Sequence, residues 1–354
     1  MNALAERLGT RFPLIQAPMA GVQLHALAVA VSEAGALGSL PAAMLTPAML
    51  RDELQALRAK TARPFNLNFF CHVEPAPDAA AEAAWLDALR PYYDEFGIDA
   101  SKVAPGAARA AFGDEAAALV EQFRPPVVSF HFGLPPAPLL QRVHRAGAFV
   151  LASATTVDEA RWLEAHGADA VIAQGLEAGG HRGHFLSGEL TRQLGTFALL
   201  PQIRQALRVP VIAAGGIADA AGVAAAMALG ADGVQLGTAY LLCGETTTTP
   251  IHRAALRSDA AAHTAVTNLF TGRPARGIVN RVMRELGPLR GAPHPAFPRT
   301  TAALAPLRAA AEARGSGDFS PLWSGQNPSG CRAVPAAEQT AALCRGFAAN
   351  GASR

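Results

Sequence analysis

The chain has 354 residues, half of them hydrophobic and 16% charged, with a formal net charge of +2. This excludes a disordered chain, which needs low hydrophobicity and high charge, and a coiled coil, which is rich in charged residues. No cluster of five or more Lys/Arg is present, so no nucleic-acid partner is expected. The uncharged stretch from Phe12 to Ser32 is interrupted by Pro13, Gln16, Pro18, Gly21, Gln23 and His25. It reads as a strand, a loop and the start of a helix, with no membrane span and no secretory signal. Cys71, Cys243, Cys331 and Cys344 form no CxxC pair and no zinc-like spacing, which suits a reducing cytoplasm and gives no reason to expect a metal.

Short apolar runs alternate with helical patterns. Pro13–Met19 reads as a first strand and Leu24–Glu33 as a helix. Ala36–Leu40 follows as a strand, Pro47–Lys60 as a helix and Phe65–Phe70 as a third strand. Val127–Phe132, Phe149–Ala154, Ala170–Gln174, Val209–Ala214 and Gly233–Leu241 bring the strands to eight. Continuous apolar runs of this length are the pattern of parallel strands buried on both faces. Ala34-Gly35-Ala36, Ala146-Gly147-Ala148, Gly167-Ala168-Asp169 and Gly230-Ala231-Asp232 repeat one helix-to-strand junction, with a glycine placed to stop the helix. Eight βα units predict a (β/α)8 TIM barrel, with a doubly wound open sheet as the alternative. Residues 71–126 are too long for one crossover and read as an insertion. Residues 246–334 read as a lid or small subdomain on a barrel spanning 1–245, and 335–354 as a tail whose helix Ala336–Ala349 packs back on the barrel.

In a parallel barrel the chemistry sits at the C-terminal strand ends. The glycine pair Gly215-Gly216 after strand seven, followed by Asp219 as a helix cap, and Gly237-Thr238 after strand eight, fit a phosphate cradle, because glycine lets backbone N–H groups approach an anion. The strand-six end, Gln174-Gly175-Leu176-Glu177-Ala178-Gly179-Gly180-His181, sets an imidazole among glycines. That makes His181 the candidate general base, with Glu177 either orienting it or capping the loop. His131, at the end of strand four, is a weaker candidate for touching substrate.

The strand ends, in order, resemble the nitronate monooxygenase family, formerly called 2-nitropropane dioxygenases. The matching residues are Gln16–Gly21, Phe65–Phe70, Ser129–Gly133, Ala152–Thr155, Gln174–Gly183, Ala214–Ile217 and Gln235–Thr238. Asp318–Gln326, with its Trp323-Ser324-Gly325-Gln326, is similar to the bacterial class I members. Flavin-dependent enoyl-acyl-carrier-protein and quinone reductases carry a similar Glu-Ala-Gly-Gly-His loop. An NAD(P)H-dependent FMN reductase is therefore the alternative.

The resemblance implies a barrel holding non-covalent FMN. Ala17, Pro18 and Met19 would line the flavin ring, with Asn68 nearby. Gln174, Gly179 and Gly180 would meet the flavin or its ribityl chain. Gly215, Gly216, Gln235, Leu236, Gly237 and Thr238 would hold the phosphate. It also implies oxidation of alkyl nitronates, and of nitroalkanes if His181 removes the α-proton, with O₂ to carbonyl compounds and nitrite. The sequence departs from the class I pattern of several pocket tyrosines and a lysine. It has only Tyr92, Tyr93 and Tyr240, and no lysine after Lys102. Arg273, Arg276 or Arg281 are the candidates to bind a substrate carboxylate in their place. Nothing in the sequence sets the oligomeric state.

Overall fold

A computed structural model describes residues 2–103 and 110–348; residues 104–109 of the expected insertion, and 349–354 of the expected tail, lie outside the described residues. The described strands are β1 (Leu14–Gln16), β2 (Gly38–Pro41), β3 (Phe65–Phe70), β4 (Val127–His131), β5 (Phe149–Ala154), β6 (Ala170–Gln174), β7 (Gly180–His181), β8 (Val211–Ala214), β9 (Gly233–Leu236), β10 (Thr264–Thr267) and β11 (Ala275–Ile278). Eight of them form one parallel sheet in the order β1-β9-β8-β6-β5-β4-β3-β2. Its two outer strands meet through a parallel bridge between Ile15 and Leu37. The Leu37 N–H donates to the Leu14 carbonyl and the Gln16 N–H to the Leu37 carbonyl, each at 2.9 Å. The sheet is thus a (β/α)8 barrel, and the open doubly wound alternative falls away.

The repeated junction glycines explain how the chain turns from helix to strand. Gly35, Gly147, Gly167 and Gly230 have φ of +90°, +89°, +100° and +95°. That conformation is strained for any residue with a Cβ and easy for glycine.

Strand geometry sends alternate residues into the barrel. At the N-terminal end the inward residues Ile15, Leu37, Val127, Leu151, Ile172 and Ile212 form one buried cluster. Leu4 and Leu8 of the helix Ala3–Leu8 plug it from below. Two residues further along, the inward positions turn polar. Asn68 donates to the Ser129 hydroxyl at 2.9 Å, and Asn66 to the Ser39 hydroxyl at 2.9 Å. The barrel is therefore dry at its base and polar at its mouth.

Two elements lay beyond the sequence reading. β7, β10 and β11 make a second, antiparallel sheet in the order β10-β11-β7. A second core also lies outside the barrel. Trp85, Leu89 and Tyr93 of the helix Ala79–Phe96 pack with Leu269, Val282, Leu304, Leu307 and Phe319. The first part of the insertion and the region after β9 thus share one hydrophobic cluster. Trp85 is 1% exposed, and its indole N–H donates to the Thr300 carbonyl at 3.2 Å. Trp85→Ala is expected to cost about 3–5 kcal/mol through the cavity and the lost partner. Urea unfolding of both proteins checks this, and a loss under 1 kcal/mol would show that the second core is not cooperative with the fold.

Candidate active site

At the barrel mouth the chain leaves β6 and dips back over the inward-facing side chains. A Cβ on Gly183 would lie 2.8 Å from the His131 ring and 3.0 Å from the Ser153 Cβ, so only glycine permits this approach. Within the loop, Gly180 and His181 form β7. Gly180 pairs with Arg276 of β11, and His181 with Ala275. The Arg182 N–H extends the pairing to the Pro274 carbonyl at 2.8 Å.

His181 is held at both ends. Its carbonyl accepts from the Gln174 amide at 2.9 Å and from the His131 ring at 3.1 Å. A carbonyl only accepts, so His131 must carry its proton on Nε2. Burial pushes the His131 pKa down to about 3, which keeps that ring neutral. The other end of Gln174 accepts from the Gly183 N–H at 2.8 Å, so its whole amide is committed to the loop. The His181 Nε2 lies 2.9 Å from the Thr271 hydroxyl. Around the imidazole stand Phe70, Phe132, Phe297 and Trp323, with ring centroids 6.1, 5.9, 5.5 and 5.6 Å away. His72 packs edge-on against Phe297 and Phe132 in the same group. Phe132 has φ +71°, an uncommon strain for an aromatic residue, of the kind that tertiary structure imposes at functional sites.

Beneath the loop Arg182 is wholly buried. It donates to the Gly175 carbonyl at 2.7 Å, the Gln174 carbonyl at 2.8 Å and the Gln193 side chain at 2.8 Å. Burial lowers its pKa to about 10, which still leaves it cationic at neutral pH. Glu177 does not reach His181. Its carboxylate accepts from the Thr196 N–H at 2.8 Å and its hydroxyl at 2.9 Å, and so caps the helix Thr196–Ala206.

The residues expected to hold a cofactor surround the neighbouring part of the mouth. The Ala17 N–H donates to the Leu236 carbonyl at 2.7 Å, bringing the ends of β1 and β9 together. A Cβ on Gly237 would lie 3.4 Å from Ala17 and 3.6 Å from the Met19 sulfur. Pro18 lies between those two, part-exposed, and Asn68 is buried against Ser129. Gly215 and Gly216 have φ of +112° and +73°. Asp219 caps the next helix by accepting from the Gly222 N–H at 2.8 Å. The tail 324–327 laces these ends together. The Gly325 N–H donates to the Thr238 hydroxyl at 2.9 Å, the Gln326 N–H to the Glu177 carbonyl at 2.9 Å, and the Asn327 amide to the Gly216 carbonyl at 3.1 Å. Gly179 sits so close to Ser324 and Gly325 that a Cβ would lie 2.5 Å from the Gly325 nitrogen.

The family model for nitronate monooxygenases matches residues 2–346. The chain belongs to the nitronate monooxygenase family. It is 44% identical to a nitronate monooxygenase of Paraburkholderia phytofirmans, covering 97% of this chain and 94% of the relative. It is 43% identical to one of Pseudomonas aeruginosa, covering 94% and 95%. Among solved structures it is similar to a nitroalkane oxidase from Streptomyces ansochromogenes, with TM-score 0.89, 40% identity and 99% of both chains covered. A FabK structure from Thermotoga maritima is more distant, with TM-score 0.72 and 27% identity over 99% of this chain and 97% of that one. Members of the family are flavin-dependent oxidoreductases, and this chain is an enzyme of that class. The reductase alternative is the more remote likeness.

The structure separates the three lid arginines. Arg281 is paired with Glu95 at 2.7 Å and Glu285 at 2.9 Å. Arg276 is spent on the Leu176 carbonyl at 2.8 Å and on Thr264. Arg273 lies over the Phe132 ring at 4.0 Å, donates to the His184 carbonyl and has no carboxylate partner among the described residues. The tyrosines are elsewhere: Tyr92 and Tyr93 in the second core, Tyr240 buried against Thr340. Phe70, Phe297, Trp323, Thr271 and Arg182 were not read from the sequence as site residues. Phe70, Arg182 and Trp323 lay inside the segments that carry the resemblance, whereas Thr271 and Phe297 had no signal. No group of metal-ligating side chains and no helix long and apolar enough to cross a membrane occurs among the described residues.

Buried histidines make stability pH-dependent. Burial lowers His131 to about 3 and His184 and His252 to about 4, from an ordinary 6.5. The unfolded chain therefore takes up protons below about pH 6.5 that the folded chain refuses until near pH 4. Stability falls as pH falls through that window. Urea unfolding at pH 7, 6 and 5 is expected to show uptake of about two or more protons on unfolding near pH 5. A flat free energy of unfolding over this range would refute the neutral buried histidines.

Proposed function

We propose that the enzyme is an FMN-dependent monooxygenase that consumes O₂ and converts alkyl nitronates to carbonyl compounds and nitrite. The observation that carries this reading is the placement of His181. It stands at the barrel mouth, fixed at carbonyl and ring, and is enclosed by Phe70, Phe132, Phe297 and Trp323.

The residues present fit FMN. Gln235 Oε1 is buried without a partner on the strand next to the glycine turns. Gly237 leaves the space beside Ala17 and Met19 that a side chain would fill. Ala17, Pro18 and Met19 would border the flavin ring, with Asn68 close by, and Gln174, Gly179 and Gly180 would meet its edge or ribityl chain. Gly215, Gly216, Gln235, Leu236, Gly237 and Thr238 would hold the phosphate by backbone N–H groups. Bound FMN supplies the electron-accepting chemistry.

The protein's share is positioning and proton handling. The aromatic walls exclude water from the imidazole, and His181 takes the α-proton of a neutral nitroalkane. His131 and Gln174 hold the loop from beneath. The likeness to a nitroalkane oxidase supports turnover of the neutral substrate as well as the nitronate. Residues 1–245 act as the cofactor barrel with its insertion, 246–334 as the lid over it, and the helix Ala336–Ala348 as a strap returning to the barrel. Four free cysteines suit a cytoplasmic setting.

Oxygen uptake by the FMN-loaded protein tests the reaction. Ethylnitronate or propionate 3-nitronate alone is expected to drive uptake and release nitrite. Flavin bleaching by NADH or NADPH with no nitronate response would move the protein to the reductases. His181→Asn is expected to lose at least about 100-fold in nitroethane turnover with FMN still bound; parental turnover would sink the base assignment. Arg273 is the lid arginine left to meet a substrate anion. Arg273→Gln should raise KM about tenfold or more for propionate 3-nitronate relative to ethylnitronate. Equal KM changes for the two substrates would remove it from recognition.

A further inference from the structure

We infer that residues 324–327 form a clasp that retains FMN, by holding together the three turns proposed to take its phosphate and ribityl chain. This rests on the cofactor reading proposed above.

The clasp is anchored in the lid. Trp323 forms an antiparallel bridge with Gly277 of β11. The Leu322 carbonyl accepts from the Ile278 N–H at 2.8 Å, and the Trp323 carbonyl accepts from His252 Nε2 at 3.0 Å. From this anchor the chain crosses to the barrel mouth and meets one turn after another. The Gly325 N–H donates to the Thr238 hydroxyl at 2.9 Å, after β9. The Gln326 N–H donates to the Glu177 carbonyl at 2.9 Å, after β6. The Asn327 side-chain amide donates to the Gly216 carbonyl at 3.1 Å, after β8. Every donor here is an N–H, so the direction of each bond is fixed. Thr238 and Gly216 lie 87 and 111 residues from their partners, so no local chain connection holds these turns to the clasp.

The clasp also lies flat on these turns. A Cβ on Gly325 would lie 2.9 Å from the Glu177 carbonyl oxygen and 3.3 Å from the Gly179 nitrogen, and a Cβ on Gly330 1.8 Å from the Ala218 carbonyl oxygen. The bonds orient donors as well as fixing spacing. The two ends of a trans peptide point opposite ways. With the Gly216 carbonyl turned to Asn327, the Ile217 N–H faces away from the clasp, and it has no acceptor among the described residues. The Thr238 hydroxyl accepts from Gly325 and so keeps its own hydrogen to give elsewhere. A phosphate draws donors from several turns at once. Turns already held in place lose less freedom when it binds, and the gain appears mainly as slower release. Gly325 and Asn327 are positioning residues for the cofactor.

Two measurements on the full-length protein test this. The first is the rate of FMN release from the loaded protein, followed by the recovery of free-flavin fluorescence on dilution. Gly325→Ala, which forces the clasp off Glu177, is expected to speed release about tenfold or more. Asn327→Ala, which removes one exposed hydrogen bond, is expected to speed it about threefold. The second is urea unfolding of the FMN-free proteins, whose midpoints should match the parent's. Release at the parental rate in both variants would overturn the inference. So would faster release accompanied by an equal loss of stability in the FMN-free variants, because the segment would then serve the fold and not the cofactor. A parent that takes up no FMN would overturn the cofactor reading and the inference with it. A parent that holds FMN as firmly as its variants do would overturn the inference alone.

Discussion

The pairing of Gly180 and His181 with Ala275 and Arg276 ties the barrel to the lid by main-chain hydrogen bonds at the residue proposed to carry the chemistry. A loop at a barrel mouth would otherwise be among the softest parts of the chain. Here it is an edge strand of a second sheet, and its side chains inherit the rigidity of that sheet. The hydrogen bonds from Gln174 and His131 to the His181 carbonyl then set its depth in the mouth. The Thr271 contact sets the rotation of the ring. Each restraint comes from a different element, so the position of the imidazole depends on barrel and lid together.

The electrostatics follow from the same arrangement. Arg182 is buried against carbonyl and amide oxygens instead of a carboxylate. Arg273 rests on an aromatic face, and Glu177, the acid beside the loop, is occupied in capping a helix. These cations have no carboxylate in direct contact, only the more distant Glu159 and, for Arg182, Glu177, so they still favour anions at the mouth. They also disfavour protonation of neighbouring imidazoles: Arg273 and Arg182 both push His184 down, after burial. A site proposed to accept a nitronate is served by the first effect.

Much of the barrel was legible in the sequence. Phe65–Phe70, Phe149–Ala154 and Ala170–Gln174 are strands over the residues expected, and Pro47–Lys60 is a helix over the residues expected. The four junction glycines take the positive φ expected of them. The strand ends Pro13–Met19 and Gly233–Leu241 were read too long. They end at Gln16 and Leu236 because the chain beyond turns into the mouth, although it stays apolar. Val209 and Pro210 precede β8 as an apolar lead-in in which only the Pro210 carbonyl is bonded to β6, by the Val171 N–H at 3.0 Å, so composition could not separate them from the strand. β7, β10 and β11 were missed for a related reason. A two-residue strand has no periodicity, and Thr264–Thr267 and Ala275–Ile278 lie in a Pro-, Gly- and Arg-rich region whose composition reads as loop.

What the sequence determined by itself was local and repetitive: the βα rhythm, the glycine turns after strands seven and eight, and a histidine set among glycines. These follow from backbone sterics and from the period of apolar residues, which act within a few positions. What only the tertiary structure decided was which distant side chains meet that histidine. Thr271 and Phe297 lie 90 or more residues further along the chain, and no local pattern marks them; Trp323 lies in a recognisable segment that does not say which side chain it meets. Nor could the sequence choose among Arg273, Arg276 and Arg281. The choice turns on which guanidinium finds a carboxylate or a carbonyl, and that is settled only when the lid closes its own core and brings the three to different neighbours.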